Sequence, residues 1–125
     1  KRNIQDFFST NDISDYIFQE YLEFKTEVRT TVVRGQFYAA KERTFKFPNG
    51  KNGSVGLTDN SVDLSKKTQT QLEQLSKLIE SDLVGIDLAI TKDNQIYLIE
   101  LNISPGTRSL TKEQFTSAWK SLINI

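Results

Sequence analysis

Asp87, Glu100 and Asn102 are the residues of this sequence whose types and spacing suit chemistry. They lie in residues 84–106, VGIDLAITKDNQIYLIELNISPG, which read as two strands joined by a tight polar turn. Placing Asp87 opposite Glu100 leaves Lys92-Asp93-Asn94-Gln95 as a four-residue turn. Side chains alternate along a strand, so Val84, Ile86, Leu88, Ile90, Tyr97, Ile99 and Leu101 then share an apolar face. Gly85, Asp87, Ala89, Ile96, Leu98, Glu100 and Asn102 share the other. Opposed carboxylates, with Cβ atoms about 4.5–5.5 Å apart, repel unless a proton or a cation lies between them. Asn102 adds a neutral oxygen on the same face. The set suits a hard cation of magnesium type, which takes one or two carboxylates and fills its other positions with water and phosphate oxygens. The competing reading is a pair of wet acids on an ordinary hairpin. The apolar opposite face, the small or apolar flanks and the Ser104-Pro105-Gly106 turn favour the site.

Composition narrows the chemistry. The chain has 125 residues, one ordinary domain's worth, with 37% hydrophobic and 26% charged residues. Sixteen basic and sixteen acidic residues give zero formal charge, unlike the net basic footprint of a general nucleic-acid or membrane-surface binder. There is no apolar run near the length of about 18 residues that a spanning helix needs, and no secretory signal, so a cytoplasmic setting is expected. Cysteine and histidine are absent. That excludes disulfides, thiolate sites and the usual neutral-pH base, and leaves oxygen ligands for magnesium, calcium or manganese. Methionine is absent as well, and the sequence starts at Lys1. A trimmed terminus and a piece of a longer protein both fit.

The elements that must position the acids follow from patterning. Residues 16–22, YIFQEYL, read as an edge strand. Phe7 and Phe8 need a packing partner, and residues 9–12 carry a turn signal. Residues 27–33 and 36–43 read as a hairpin about Arg34-Gly35. A two-residue loop would pair Arg29 with Ala40. A three-residue loop, Arg34-Gly35-Gln36, pairs Arg29 with Lys41. It collects Arg29, Lys41 and Arg43 on one face and Val28, Thr30, Val32, Tyr38 and Ala40 on the other, and is preferred. Residues 44–64 read as a long mobile loop. An amphipathic helix is predicted over 68–81, with Leu72, Leu75, Leu78 and Ile79 as its stripe and Thr68/Gln71 as a capping box. A second is predicted over 111–123, with a Thr111/Gln114 box and Phe115, Ala118, Trp119 and Leu122 inward. The expected class is α+β, an antiparallel sheet covered on one side by both helices.

Gly85-Ile86-Asp87 followed by Glu100-Leu101-Asn102-Ile103-Ser104-Pro105-Gly106 resembles the metal-binding signature of ATP-grasp ligases. Phe18-Gln19-Glu20-Tyr21-Leu22, then Glu27-Val28-Arg29, resembles the adenine hinge and the strand after it. Val32-Val33 through Ala39-Ala40-Lys41-Glu42-Arg43 resembles the hairpin that follows. The likeness runs in order from about residue 16 to 107. It is similar to the group with ribosomal-protein glutamate ligases and D-alanine–D-alanine ligases, and to microviridin-type peptide ligases.

The resemblance implies the C-terminal half of an ATP-grasp fold, with 1–125 as one subdomain of a longer ligase. It implies ATP with Mg2+ (or Mn2+), and an ADP-forming junction of a carboxylate to an amine or hydroxyl through an acyl phosphate, a peptide or protein among the candidate substrates. Asp87, Glu100 and Asn102 would bind metal. Glu20, Tyr21 and Leu22 would meet the adenine edge, with Leu98 in its pocket, and Glu27 the ribose. Arg29 and Arg43 would face the transferring phosphoryl group. A Gly-rich lid, its lysines and an N-terminal domain are missing from this stretch, so alone it would bind ATP weakly and turn over little. A non-catalytic nucleotide- or metal-binding module, or a plain α+β interaction domain, remain as alternatives.

Overall fold

Arg34 and Gly35 both take positive φ, 46° and 73°, the geometry of a two-residue hairpin turn whose twist matches its strands. The turn joins β1 (Thr26–Val33) to β2 (Gln36–Lys46). The computed structural model describes residues 16–46 and 54–123 with Ser9 and Ser14, and only the backbone of 44–46, 54–57 and 59. Phe7, Phe8, the turn signal past Ser9, and the Pro48–Gly53 stretch fall outside the described residues. The remaining elements are β3 (Ser54–Ser61), α1 (Lys66–Leu78), β4 (Leu83–Ile90), β5 (Ile96–Asn102) and α2 (Lys112–Ile123). The five strands form one antiparallel sheet in the order β3-β2-β1-β4-β5.

Two expectations change here. Residues 16–25 are irregular instead of a strand, although the Lys25 N–H still donates to the Ile90 carbonyl at 2.8 Å. Much of the expected loop of 44–64 is strand, because β2 runs to Lys46 and pairs with β3. Main-chain pairing holds a polar run whose side chains carry little strand signal.

Arg29 does lie opposite Lys41, but by another route than a three-residue loop. Val33 pairs with Gln36 and Val32 with Phe37, then Thr31 with Ala39. Tyr38 is therefore the extra residue of a β-bulge, which shifts the register by one. Phe37 takes the core place expected of Tyr38. The second hairpin behaves likewise. Asp87 pairs with Glu100 as expected, but Leu88 pairs with Leu98 and Ile90 with Ile96, leaving Ile99 as the bulge. The loop is tighter than expected: Thr91 and Gln95 bond across it, and Asn94 (φ 63°) supplies the left-handed position. Beyond the bulge Tyr97, not Leu98 or Ile96, shares the Asp87 face, since it pairs with Ala89.

Val28, Val32, Ala40, Val84, Ile86, Leu88 and Ile90 form the core with Leu64 and Leu72. α1 covers this face. Its N-cap is Ser65, which accepts from the Thr68 N–H at 3.2 Å, so Thr68 is the third residue of the helix instead of its cap. The inward stripe is Leu72, Leu75, Ser76 and Ile79, while Leu78 is 83% exposed, one step off the 3.6-residue period. α2 starts where predicted, with Thr111 and Gln114 exchanging both bonds of a capping box.

The α+β class and antiparallel sheet stand, but α2 differs from α1 in side. The Ser109 hydroxyl before it pairs with Thr31, and Phe115, Ala118 and Trp119 line a small cavity with Leu83, all on the face opposite the core. Phe115 and Trp119 stack with ring centroids 6.1 Å apart. β5 is an edge strand beyond the reach of α1, so Tyr97, Ile99 and Leu101, expected against the helices, stay 38–48% exposed.

Candidate functional site

The registers fix a row perpendicular to the strands. Ser61, Lys41, Arg29, Asp87 and Glu100 are successive cross-strand partners on β3, β2, β1, β4 and β5. Partners in an antiparallel sheet share a face, so the row carries two cations and then two anions. One neighbouring row is Arg43, Glu27, Ala89 and Tyr97. The other is Ala39, Thr31, Gly85 and Asn102.

The middle of this face is a closed ion-pair network. Arg29 donates from Nε to Asp87 Oδ1 and from Nη2 to Asp87 Oδ2, the latter at 2.6 Å. Arg43 Nη1 donates to both Asp87 Oδ2 and Glu27 Oε1. The Arg29–Asp87 pair is a fork, while Arg43 bridges two carboxylates through one nitrogen. Asp87 and Glu27 are 2% and 6% exposed, so the charges sit in a largely desolvated place, where geometry decides whether they are tolerated. Burial raises the Glu27 carboxyl above its ordinary value, with Arg43 opposing and Asp87 adding to the rise. The hydrogen bond to Asp87 raises the Arg29 guanidinium, against the effect of burial.

At the two ends of the charged part of the row, Lys41 and Glu100, the charges are open. Glu100 is exposed and Lys41 partly buried, and among the described residues neither side chain makes a hydrogen bond or an ion pair. Asn102 Oδ1 accepts from the Ser104 N–H at 2.9 Å, pinning the start of the loop after β5. That loop folds back over the sheet. A Cβ on Gly85 would stand 2.6 Å from Pro105 Cβ, so a glycine is needed under the proline. Ser109, fully buried with Thr31, anchors the far end.

Among the described residues no three acidic groups gather as a metal cage. The donors are two carboxylates and an amide oxygen. Asp87 already accepts three bonds of the roughly four that a carboxylate can take, while the Glu100 carboxylate accepts none from the described residues. That fits magnesium, which needs few protein ligands.

The other expected contacts gather beside β5. Glu20, Tyr21 and Leu22, with Gln19 and Phe24, face Tyr97, Leu98 and Ile99 across a groove of about 370 Å³. Leu98 lines it, from the far side of the bulge. Thus Arg29, Arg43, Glu27, Asp87, Glu100 and Asn102 share one face, and Glu20 to Leu22 flank its edge. Glu27, expected to meet a ribose, is tied to Arg43. The Thr31–Ser109 pair and the Gly85–Pro105 contact escaped sequence reasoning. A lone glycine in an apolar strand, which marks a close approach, was the available signal for the second.

The sequence matches the RimK-like ATP-grasp domain over residues 2–125. Comparison with curated proteins returns no match. Among solved structures the chain is similar to the macrocyclase MdnC from Microcystis aeruginosa MRC, bound with precursor peptide MdnA: TM-score 0.61 and 18% identity, over 83% of this chain and 35% of that one. It is similar to the ATP-grasp ligase PsnB complexed with minimal precursor: TM-score 0.58 and 21% identity, over 70% and 28%. It is also similar to a Chryseobacterium gregarium RiPP-associated ATP-grasp ligase in complex with ADP and a leader and core peptide: TM-score 0.57 and 21% identity, over 78% and 32%. The chain thus spans about a third of the length of these ligases. With nearly every residue matched, and an α+β sheet that superposes on theirs, the chain belongs to the RimK-like ATP-grasp domain family.

Proposed function

We propose that this chain is the C-terminal part of an ATP- and magnesium-dependent ligase that joins a carboxylate to an amine or hydroxyl, with a peptide as one partner. One observation carries the reading. β5 lines the groove with Tyr97, Leu98 and Ile99, and continues directly into Glu100 and Asn102. A nucleotide with its base between β5 and residues 19–24 would run its phosphates along the strand toward the oxygen donors. Solved relatives support the ligands: PsnB has been seen with minimal precursor, Mg and ADP, and MdnC with a precursor peptide.

In this reading Glu100, Asn102 and the remaining acceptor position of Asp87 hold magnesium, which neutralises phosphate charge. Arg29 and Arg43 each commit two N–H bonds to carboxylates, and a guanidinium has about five to give. The rest remain for a phosphoryl group. A substrate carboxylate oxygen attacks the γ-phosphorus, the bond to the β,γ-bridging oxygen breaks, and ADP leaves with the electron pair. The amine or hydroxyl then attacks the acyl carbon, inorganic phosphate leaves, and the nucleophile's proton passes to solvent. The chemistry needs positioning and charge stabilisation, so the lack of histidine and cysteine is no obstacle.

The test is a titration of the protein containing this chain with MgADP. The Asp87 and Glu100 amide signals should shift together, and an Asp87→Asn/Glu100→Gln variant should lose both the shift and carboxylate-dependent ADP release. Unchanged ADP release from that variant would sink the assignment.

A further inference from the structure

Among the described side chains, the strands place three cations and three anions on the charged face: Lys41, Arg29 and Arg43 against Glu27, Asp87 and Glu100. Arg29 and Arg43 are closed onto Asp87 and Glu27. Among the described residues the Lys41 and Glu100 side chains are left open, at the two ends of the charged part of one row, on β2 and β5. Three strand spacings separate them, about 14 Å.

Both flanks of the row are limited. On one side Pro105 lies against Gly85, and Ser109 is bonded to Thr31, so the loop after β5 covers the small residues there. On the other stand Arg43, Glu27 and Tyr97, with residues 19–24 beyond β5. A molecule that meets the phosphoryl end of a nucleotide lying on β5 therefore has one open direction over the described sheet, along the row toward Lys41.

Charge selects what lies there. A carboxylate that attacks a phosphoryl group brings two anions together, and a cation must offset the repulsion. The guanidinium charges are already balanced by buried carboxylates. Lys41 is the cation on this face, among the described side chains, that has no anion of its own. Its ammonium is a compact charge with rotatable donors, able to follow an oxygen as that oxygen becomes bonded to phosphorus.

We infer that Lys41 binds the carboxylate of the acyl donor and holds it in line with the phosphoryl end of the nucleotide. This rests on the proposed function and names the substrate side of that site.

The experiment uses the protein containing this chain, with 13C-labelled lysine, the Lys41 signal being assigned from a Lys41→Gln variant. Saturating MgADP is added first, then acetate as the minimal carboxylate, and inorganic phosphate in a parallel sample. Acetate should shift the Lys41 Cε signal saturably, and phosphate should not. Lys41→Gln should weaken acetate binding to the MgADP complex about tenfold, the loss of one charge-assisted hydrogen bond, and leave MgADP affinity unchanged. Lys41→Arg should recover most of the loss. Three results overturn the inference: acetate binding unaffected in Lys41→Gln, a Lys41 response to phosphate instead of acetate, or a parallel loss of MgADP affinity. Failure of MgADP to bind the wild-type protein removes the nucleotide reading and this one with it. MgADP binding without a Lys41 response to acetate removes this one alone.

Discussion

Arg29 and Asp87 are cross-strand partners on β1 and β4, joined by two parallel N–H···O bonds. Asp87 is almost fully buried. Removing Arg29 leaves a desolvated carboxylate that Arg43 alone must balance, a class of change that costs about 3–5 kcal/mol. Arg29→Ala is expected to lose that much in urea unfolding. Arg29→Lys should lose less, because it keeps the charge and forfeits the fork. The Arg29→Ala/Asp87→Ala double variant should lose less than the sum of its parts. A loss from Arg29→Ala below about 1 kcal/mol would place the pair with exposed ion pairs and contradict its role as the centre of the face.

The hydroxyls of Thr31 and Ser109 meet at 2.5 Å in a buried place. Thr31→Val or Ser109→Ala strands the other hydroxyl, at about 1–3 kcal/mol each. Replacing both together should cost less than the two single losses summed. Thermal unfolding of the four proteins checks this, and strict additivity would mean that the bond is not what holds the loop.

Gly85→Ala places a methyl 2.6 Å from Pro105 Cβ. Pro105 is a buried ring and cannot swing aside as a flexible side chain would, so the loop must lift. The expected loss is about 1–3 kcal/mol, as for other overpacked sites. MgADP affinity should fall as well, since Asn102 is hydrogen-bonded to the start of the same loop. A variant of unchanged stability and affinity would show the loop free to move.

Glu27 gives a pH dependence with a defined sign. Burial holds its carboxyl above the ordinary value of 4.5, so the folded state binds this proton more tightly than the unfolded one. Its contribution is fully present below the ordinary value and is lost as pH rises through the raised one. Wild type should therefore gain stability relative to Glu27→Gln as pH falls from 7 toward that range, in nucleotide-free buffer. Paired melting curves across the interval provide the check. A gap that stays flat, or that narrows on acidification, would contradict a carboxylate raised by burial.

The cross-strand partners Arg29–Lys41 and Asp87–Glu100 could be read from the sequence, because one face of each hairpin must be apolar. The α2 cap was readable for a local reason, a four-residue box. Three features were not. The adjacency of β1 and β4, which brings Arg29 to Asp87, joins residues 58 apart in sequence, and no local pattern encodes it. The bulges at Tyr38 and Ile99 sit in runs apolar on both faces, where alternation gives no register signal. β3 is held by main-chain pairing, which composition does not report. The ion pair of Glu27 with Arg43 was not legible either, because it is set by the β1–β2 register.

The same two bulges make the hairpins forgiving of length. Each lies between a turn and the charged row, so each is a single residue of slack that isolates the row from the turn. Deleting Ile99 would leave Leu88 opposite Leu98 and Asp87 opposite Glu100. Deleting Tyr38 would leave Val32 opposite Phe37 and Arg29 opposite Lys41. A shortened chain of either kind should keep its cluster of charges assembled. A residue removed between Asp87 and Ile90 has no such reserve, and would turn the charged face of β4 toward the core.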